Sequence, residues 1–170
     1  MSDVIISLGF TVVLKVDNML NIDIDGKSDK KVLQKCKEFY EKHNLNIRLY
    51  KTKNGHRAFI TNKKFKIRDD FNIIYHYFYL LEADFKYLDV AFNKEITYFH
   101  TRIVPKQENF KTFDEKQIIE NFFQYQKNEN IAVCRYLDSV GDGYILEDFV
   151  ESIKKHDYAT KAFNKNSILV

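Results

Sequence analysis

Two aspartates stand two residues apart in the run Leu20-Asn21-Ile22-Asp23-Ile24-Asp25-Gly26. Strict alternation marks a strand, with Leu20, Ile22 and Ile24 on one face and Asn21, Asp23 and Asp25 on the other. Carboxylates at i and i+2 on a strand lie side by side. They form a platform for a hard cation such as Mg²⁺ or Mn²⁺, which takes a few carboxylate oxygens plus substrate phosphates. Farther on, Thr52-Lys53-Asn54-Gly55-His56-Arg57 brings a hydroxyl, an imidazole and a guanidinium into one short stretch. Arginine presents a planar fork of donors that matches phosphate oxygens.

The elements that must position these groups follow from periodicity and punctuation. Residues 46–52 and 56–61 read as strands, and Asn54-Gly55 between them predicts a two-residue hairpin turn. That turn pairs Thr52 with Arg57, Tyr50 with Phe59 and Arg48 with Thr61. These six share one face; Ile47, Leu49, Ala58 and Ile60 share the other, the core side. Residues 96–103 form a strand with Tyr98, His100 and Arg102 on one side and Thr97, Phe99, Thr101 and Ile103 on the other. If one sheet carries all of these strands, one open face holds Asp23, Asp25, Arg48, Tyr50, Thr52, Arg57, Phe59, Tyr98, His100 and Arg102. Arg48, Arg57 and Arg102 then suit phosphates, with His56 and His100 nearby, and Tyr50, Phe59 and Tyr98 suit base stacking. The plainer reading of the same residues is cross-strand ion pairs, a packed Tyr50–Phe59 pair and a solvated His56 at the hairpin tip.

Residues 10–16 make an earlier strand, ended by Asp17-Asn18. Ser28 or Asp29 caps a helix to about His43, with Val32, Leu33, Cys36, Phe39 and Tyr40 on its apolar face. A helix over 71–82 is apolar and aromatic nearly all round. That pattern fits burial on two sides or a homo-oligomer interface. Leu88-Asp89-Val90 reads as a short strand, 114–126 as a helix and 147–163 as a last helix. Residues 131–138 fit strand or helix. The plan is α+β: an antiparallel-rich sheet with helices on one face and a helical C-terminal part, in one domain over 1–170.

The 170-residue chain is long enough to bury a core, and its 45% apolar and 30% charged residues mark a globular protein. A net charge of +3 does not by itself call for nucleic acid. Two cysteines argue against a disulfide framework, and no spacing suggests zinc. The apolar N-terminus lacks a basic flank and a cleavage signal, and no run reaches the roughly 18–20 apolar residues of a membrane span. The expected location is the cytoplasm. Walker, Rossmann and nucleophile-elbow signatures are absent.

With Asp23-Ile24-Asp25, then Lys51-Thr52-Lys53-Asn54-Gly55-His56-Arg57, then Leu88-Asp89-Val90, the chain resembles the archaeo-eukaryotic primase–polymerase superfamily. The resemblance spans about residues 19–103, the core, with 104–170 as an extension. It implies a modified RRM-like core in which Asp23, Asp25 and Asp89 hold the divalent metal and carry catalysis, as in nucleotidyl transfer during DNA replication. The turn and strand at 52–57 would hold the incoming nucleotide's phosphates. The family's histidine falls at Arg57, with His56 one position early, so either Arg57 replaces it as a phosphate ligand or the site is degenerate. The stretches Thr101–Lys106 and 132–163 look like small primase-like proteins of bacteria and their viruses. Two other readings stand beside this one. In the first, the domain serves, without catalysis, as a nucleic-acid- or protein-interaction module. In the second, Asp23-Ile24-Asp25-Gly26 is the nucleophile motif of a haloacid-dehalogenase-type phosphatase, which requires parallel strands with crossover helices.

Overall fold

The computed structural model describes residues 4–6, 11–94, 96–105 and 114–170. Phe10, with which the first expected strand begins, lies outside the described residues. Two strands open the chain, β1 (Val4–Ile6) and β2 (Val12–Val16). The alternating Asn21–Asp25 follows as β3, and Gly26 ends it at a φ of 66°. Helix α1 (Asp29–His43) starts at Ser28, whose hydroxyl accepts from Lys31 N–H, and stops at Asn44 in the left-handed region at φ 52°. It buries Val32, Cys36 and Phe39, as its spacing predicts. Val32 and Phe39 each contribute about 1.5–3 kcal/mol by leaving water.

Next come β4 (Ile47–Thr52) and β5 (Gly55–Ile60). They pair as expected, but two residues out of the expected register: Tyr50 opposes Arg57, and Arg48 opposes Phe59. The last rung is Lys51–His56. Thr52–Gly55 is therefore the loop, with Gly55 N–H donating to Thr52 Oγ1 at 3.1 Å. Neither Asn54 nor Gly55 has positive φ, so the two-residue turn is not formed. Gly55 is required for a different reason: a Cβ there would lie 2.3 Å from the Ile24 carbonyl oxygen of β3. A shift of two leaves every side chain on its predicted face.

Helix α2 (Phe71–Leu81) buries Ile74, Tyr77, Phe78 and Leu81 and leaves Tyr75 and Tyr79 exposed. Residues 86–93 form helix α3 (Lys86–Asn93) rather than a strand about Leu88. The run Tyr87-Leu88-Asp89-Val90 alternates too briefly to separate the two periods, and Leu88 is the residue it buries. Strand β6 (Phe99–Arg102) alternates buried and half-buried residues, as expected of its two faces. Helix α4 (Glu115–Lys127) is followed by β7 (Ile131–Ala132) and β8 (Cys134–Val140), which settle the ambiguous 131–138 stretch as strand. Helix α5 (Glu147–Thr160) and a terminal β9 (Ile168–Leu169) complete the chain.

The protein is a mixed α+β structure. One sheet has the order β3-β5-β4-β8, another β1-β2-β6, and both are antiparallel; β7 and β9 pair in parallel. The Asn21 carboxamide of β3 donates to the His100 carbonyl of β6 at 2.9 Å and bridges the two larger sheets. The all-antiparallel central sheet departs from the parallel plan that a haloacid-dehalogenase-type phosphatase needs. The segment after residue 103 also does more than add helices, because β8 supplies the fourth strand of that sheet. Among the described residues no helix is long and apolar enough to cross a membrane.

The sheet carries helices on both faces, a correction to the expected one. Asp29 of α1 meets Lys51 and His56 on the core side. On the side expected to be open lies α5. Its His156 ring sits 4.7 Å from Tyr50 and 4.8 Å from Phe59, and its Asp157 pairs with Arg48 at 2.7 Å. The polar alternation of these strands thus marks a second buried layer around Arg48, Tyr50 and Phe59, because ion pairs and aromatic edges let α5 cover them.

Candidate functional site

What α5 leaves uncovered is a cavity of about 480 Å³ between the two larger sheets, where β3, β5 and β6 meet the Thr52–Gly55 loop. Of the expected residues, Asp23, Asp25, Thr52, His56, Arg57, His100 and Arg102 line it, joined by Asn21, Lys53, Asp84 and Tyr87. The remaining expected residues lie elsewhere. Arg48, Tyr50 and Phe59 are under α5, and Tyr50 and Phe59 are both 0% exposed, so neither ring can stack on a base. Tyr98 sits outside the lining, with the Lys15 ammonium over its ring. Asp89 is exposed on α3, away from the cavity.

Strand pairing delivers the central contact. Asp23 opposes Arg57, and Arg57 Nε donates to Asp23 Oδ1 at 3.1 Å. Arg57 Nη1 donates to the Arg102 carbonyl at 2.9 Å, tying β5 to β6. The Arg102 guanidinium has no hydrogen-bond or ion-pair partner among the described residues, and its Nε is buried. Burial and the neighbouring Arg57 charge both lower its pKa, partly offset by Asp23. Burial lowers the His100 pKa, opposed by Asp23 and reinforced by Arg57. Its backbone N–H donates to the Tyr87 hydroxyl at 3.2 Å.

His56 is not a solvated tip residue. It is buried, with Nε2 2.8 Å from Asp29 Oδ1, and desolvation lowers its pKa despite that carboxylate. The one-position offset from Arg57 has its expected effect: His56 points to the α1 side and Arg57 to the α5 side.

Arg57–Asp23 is the single ion pair between two described lining residues, and charges of both signs remain. Among the described residues Arg102 and Lys53 have no carboxylate partner, and Asp25 and Asp84 have no cation. Polar groups are also left unfinished here. Of nine buried side-chain atoms without a partner among the described residues, six belong to the lining residues Thr11, Asn21, His56, His100, Thr101 and Arg102. Each such atom costs about 1–3 kcal/mol of unrecovered solvation, a cost that clusters where function requires it.

No group of three or more His, Cys, Asp or Glu among the described residues could hold a metal ion. The three-carboxylate set of Asp23, Asp25 and Asp89 is therefore not assembled. Asp23 and Asp25, side by side on β3, fit a Mg²⁺ that arrives with phosphate oxygens of its own, since that ion keeps most ligands from water and substrate.

Asp84 and Tyr87 carried no periodic or motif signal. Asp84 reaches the cavity through a backbone turn: α2 ends at Glu82 in the left-handed region, and Asp84 N–H then donates to the Asp23 carbonyl at 3.0 Å. In comparisons with family models, with curated proteins and with solved structures, the chain matches none.

Proposed function

We propose that the cavity binds the phosphate groups of a nucleotide, taken up as its complex with a divalent cation. One observation carries this reading: unpaired cations, Arg102 and Lys53, and unpaired carboxylates, Asp25 and Asp84, border the same cavity. A purely anionic ligand would satisfy only the first pair and a bare cation only the second. A metal–polyphosphate satisfies both, and about 480 Å³ falls within the range of small-molecule sites. Arg102 and the free end of the Arg57 guanidinium receive phosphate oxygens, and Lys53 adds charge from the mobile end of a long side chain. Asp23 and Asp25 face the cation. A bound Mg²⁺ would supply neutralisation of phosphate charge.

This reading keeps the primase-like order of motifs, with Arg57 in the place of the phosphate-binding histidine. It favours binding over turnover, because Asp89 does not complete a metal set. The imidazole of His100 borders the same space and offers a hydrogen bond at the ligand.

Calorimetric titration tests it. The wild-type chain should bind a nucleoside triphosphate, more tightly with Mg²⁺ than without, and should not bind the nucleoside. Arg102→Leu should weaken the triphosphate by about tenfold or more, the scale of a lost charge-assisted contact. Equal binding by wild type and Arg102→Leu, or no saturable binding of any phosphate compound, would overturn the assignment.

A further inference from the structure

His156 touches no solvent and does not line the cavity, yet it contacts the guanidinium that does. Its Nε2 lies 3.5 Å from Arg57 Nη1, and its Nδ1 lies 3.2 Å from Asp157 Oδ1. We propose that His156 is a positioning residue that aims Arg57 at the ligand's phosphate. The inference rests on the phosphate-binding reading above and names the part of the chain, helix α5, that sets the site's geometry.

The chemistry of the imidazole permits one arrangement. An arginine only donates, so Nε2 must accept; a carboxylate only accepts, so Nδ1 must carry the proton. A neutral ring with its proton on Nδ1 meets both neighbours, and a protonated ring would set a second cation against Arg57. The ring plane is fixed independently. Tyr50 and Phe59 meet it edge-on at 4.7 and 4.8 Å. Asp157 is fixed in turn by Tyr50 OH at 2.5 Å and Arg48 Nη2 at 2.7 Å. A chain of contacts therefore runs from Arg48 under α5 to Asp23 at the cavity.

The consequence falls on Arg57. Its Nε is held by Asp23, and its Nη1 by the Arg102 carbonyl and His156. Nη2 has no partner among the described residues, so the three contacts leave that one nitrogen for the ligand. Without His156, two contacts remain on one edge of the fork, and the guanidinium plane can tilt about them. An ordered arginine loses less entropy on binding phosphate than a mobile one.

The test compares wild type with His156→Phe, which keeps the ring and removes the acceptor, and His156→Gln, which restores an acceptor on a flexible chain. His156→Leu serves if the phenyl ring is not accommodated. Two quantities are read: affinity for inorganic pyrophosphate, and the Nε–Hε NMR signal of Arg57 in the free protein. His156→Phe should bind pyrophosphate about tenfold more weakly and broaden or shift the Arg57 signal, and His156→Gln should recover most of both. Wild-type affinity and an unchanged Arg57 signal in the Phe or Leu variant would overturn the positioning role. Failure of wild type to bind pyrophosphate would refute the phosphate reading instead, and the Arg57 signal alone would then decide whether His156 orders the guanidinium.

Discussion

Acidification should cost this protein stability through His156, by an amount the structure sets. Burial holds its pKa down from the ordinary 6.5 to about 4, with Asp157 pulling the other way and Arg57 reinforcing the shift. Between those values the unfolded chain binds one proton more than the folded one, so stability falls as pH falls through that window. Above the ordinary value neither state is protonated, and below about 4 both are, so the loss levels off at each end. At about 1.4 kcal/mol per pH unit the full loss is about 3 kcal/mol, of which about 2 kcal/mol appears between roughly pH 7 and pH 4.5. His43, His56 and His100 are also lowered, first of all by burial, and add losses of the same sign. The difference between wild type and His156→Phe therefore isolates the one residue. Urea unfolding at a series of pH values gives both curves. The variant should keep the part of the slope owed to the other histidines and lose about 2 kcal/mol of acid sensitivity. Parallel curves for the two proteins would refute the picture of a neutral, desolvated imidazole beside Arg57.

Two further outcomes follow from the cavity and the loop beneath it. Gly55→Ala should destabilise the protein by about 2–3 kcal/mol in the same unfolding assay, because its Cβ meets the Ile24 carbonyl oxygen at 2.3 Å and backbone cannot easily give way. A neutral effect would mean that β3 and β5 do not approach so closely. Converting Asp23 and Asp25 together to Asn should abolish the Mg²⁺ enhancement of triphosphate binding. Metal-free pyrophosphate should bind no worse, since two negative charges leave the site while the carboxamide oxygen introduced by Asp23→Asn can still accept from Arg57. An undiminished Mg²⁺ effect would place the cation elsewhere.

The faces of the strands were legible in the sequence, and their neighbours were not. Alternation put Asp23, Arg57, Tyr50 and Phe59 on one side of the sheet correctly, because residues two apart on a strand share a face. The hairpin closes two residues away from its predicted rung, yet the even shift left that parity intact. What periodicity could not carry was the occupant of the far side. Tyr50, Arg48 and Phe59 look like an open polar surface until Asp157 and His156, a hundred residues on, arrive to pair with them. The sole cue was that His156-Asp157 falls on the stripe of Phe149 and Ile153, where a solvated pair would be out of place. Asp89 was misplaced for a local reason, since one turn of α3 and a short strand bury the same Leu88. Asp84 owes its position to a left-handed helix end at Glu82 and a backbone bond to Asp23, which no pattern of apolar residues encodes.

The central claim is that Arg57 and Arg102 together receive phosphate. The most direct measurement follows the side-chain Nε–Hε NMR signals of the arginines as inorganic pyrophosphate is added. Arg57 and Arg102 should shift together and saturate at one concentration, while Arg48, committed to Asp157 and Tyr50, should stay in place. If neither cavity arginine moves, or if Arg48 moves as far as they do, the cavity is not the anion site.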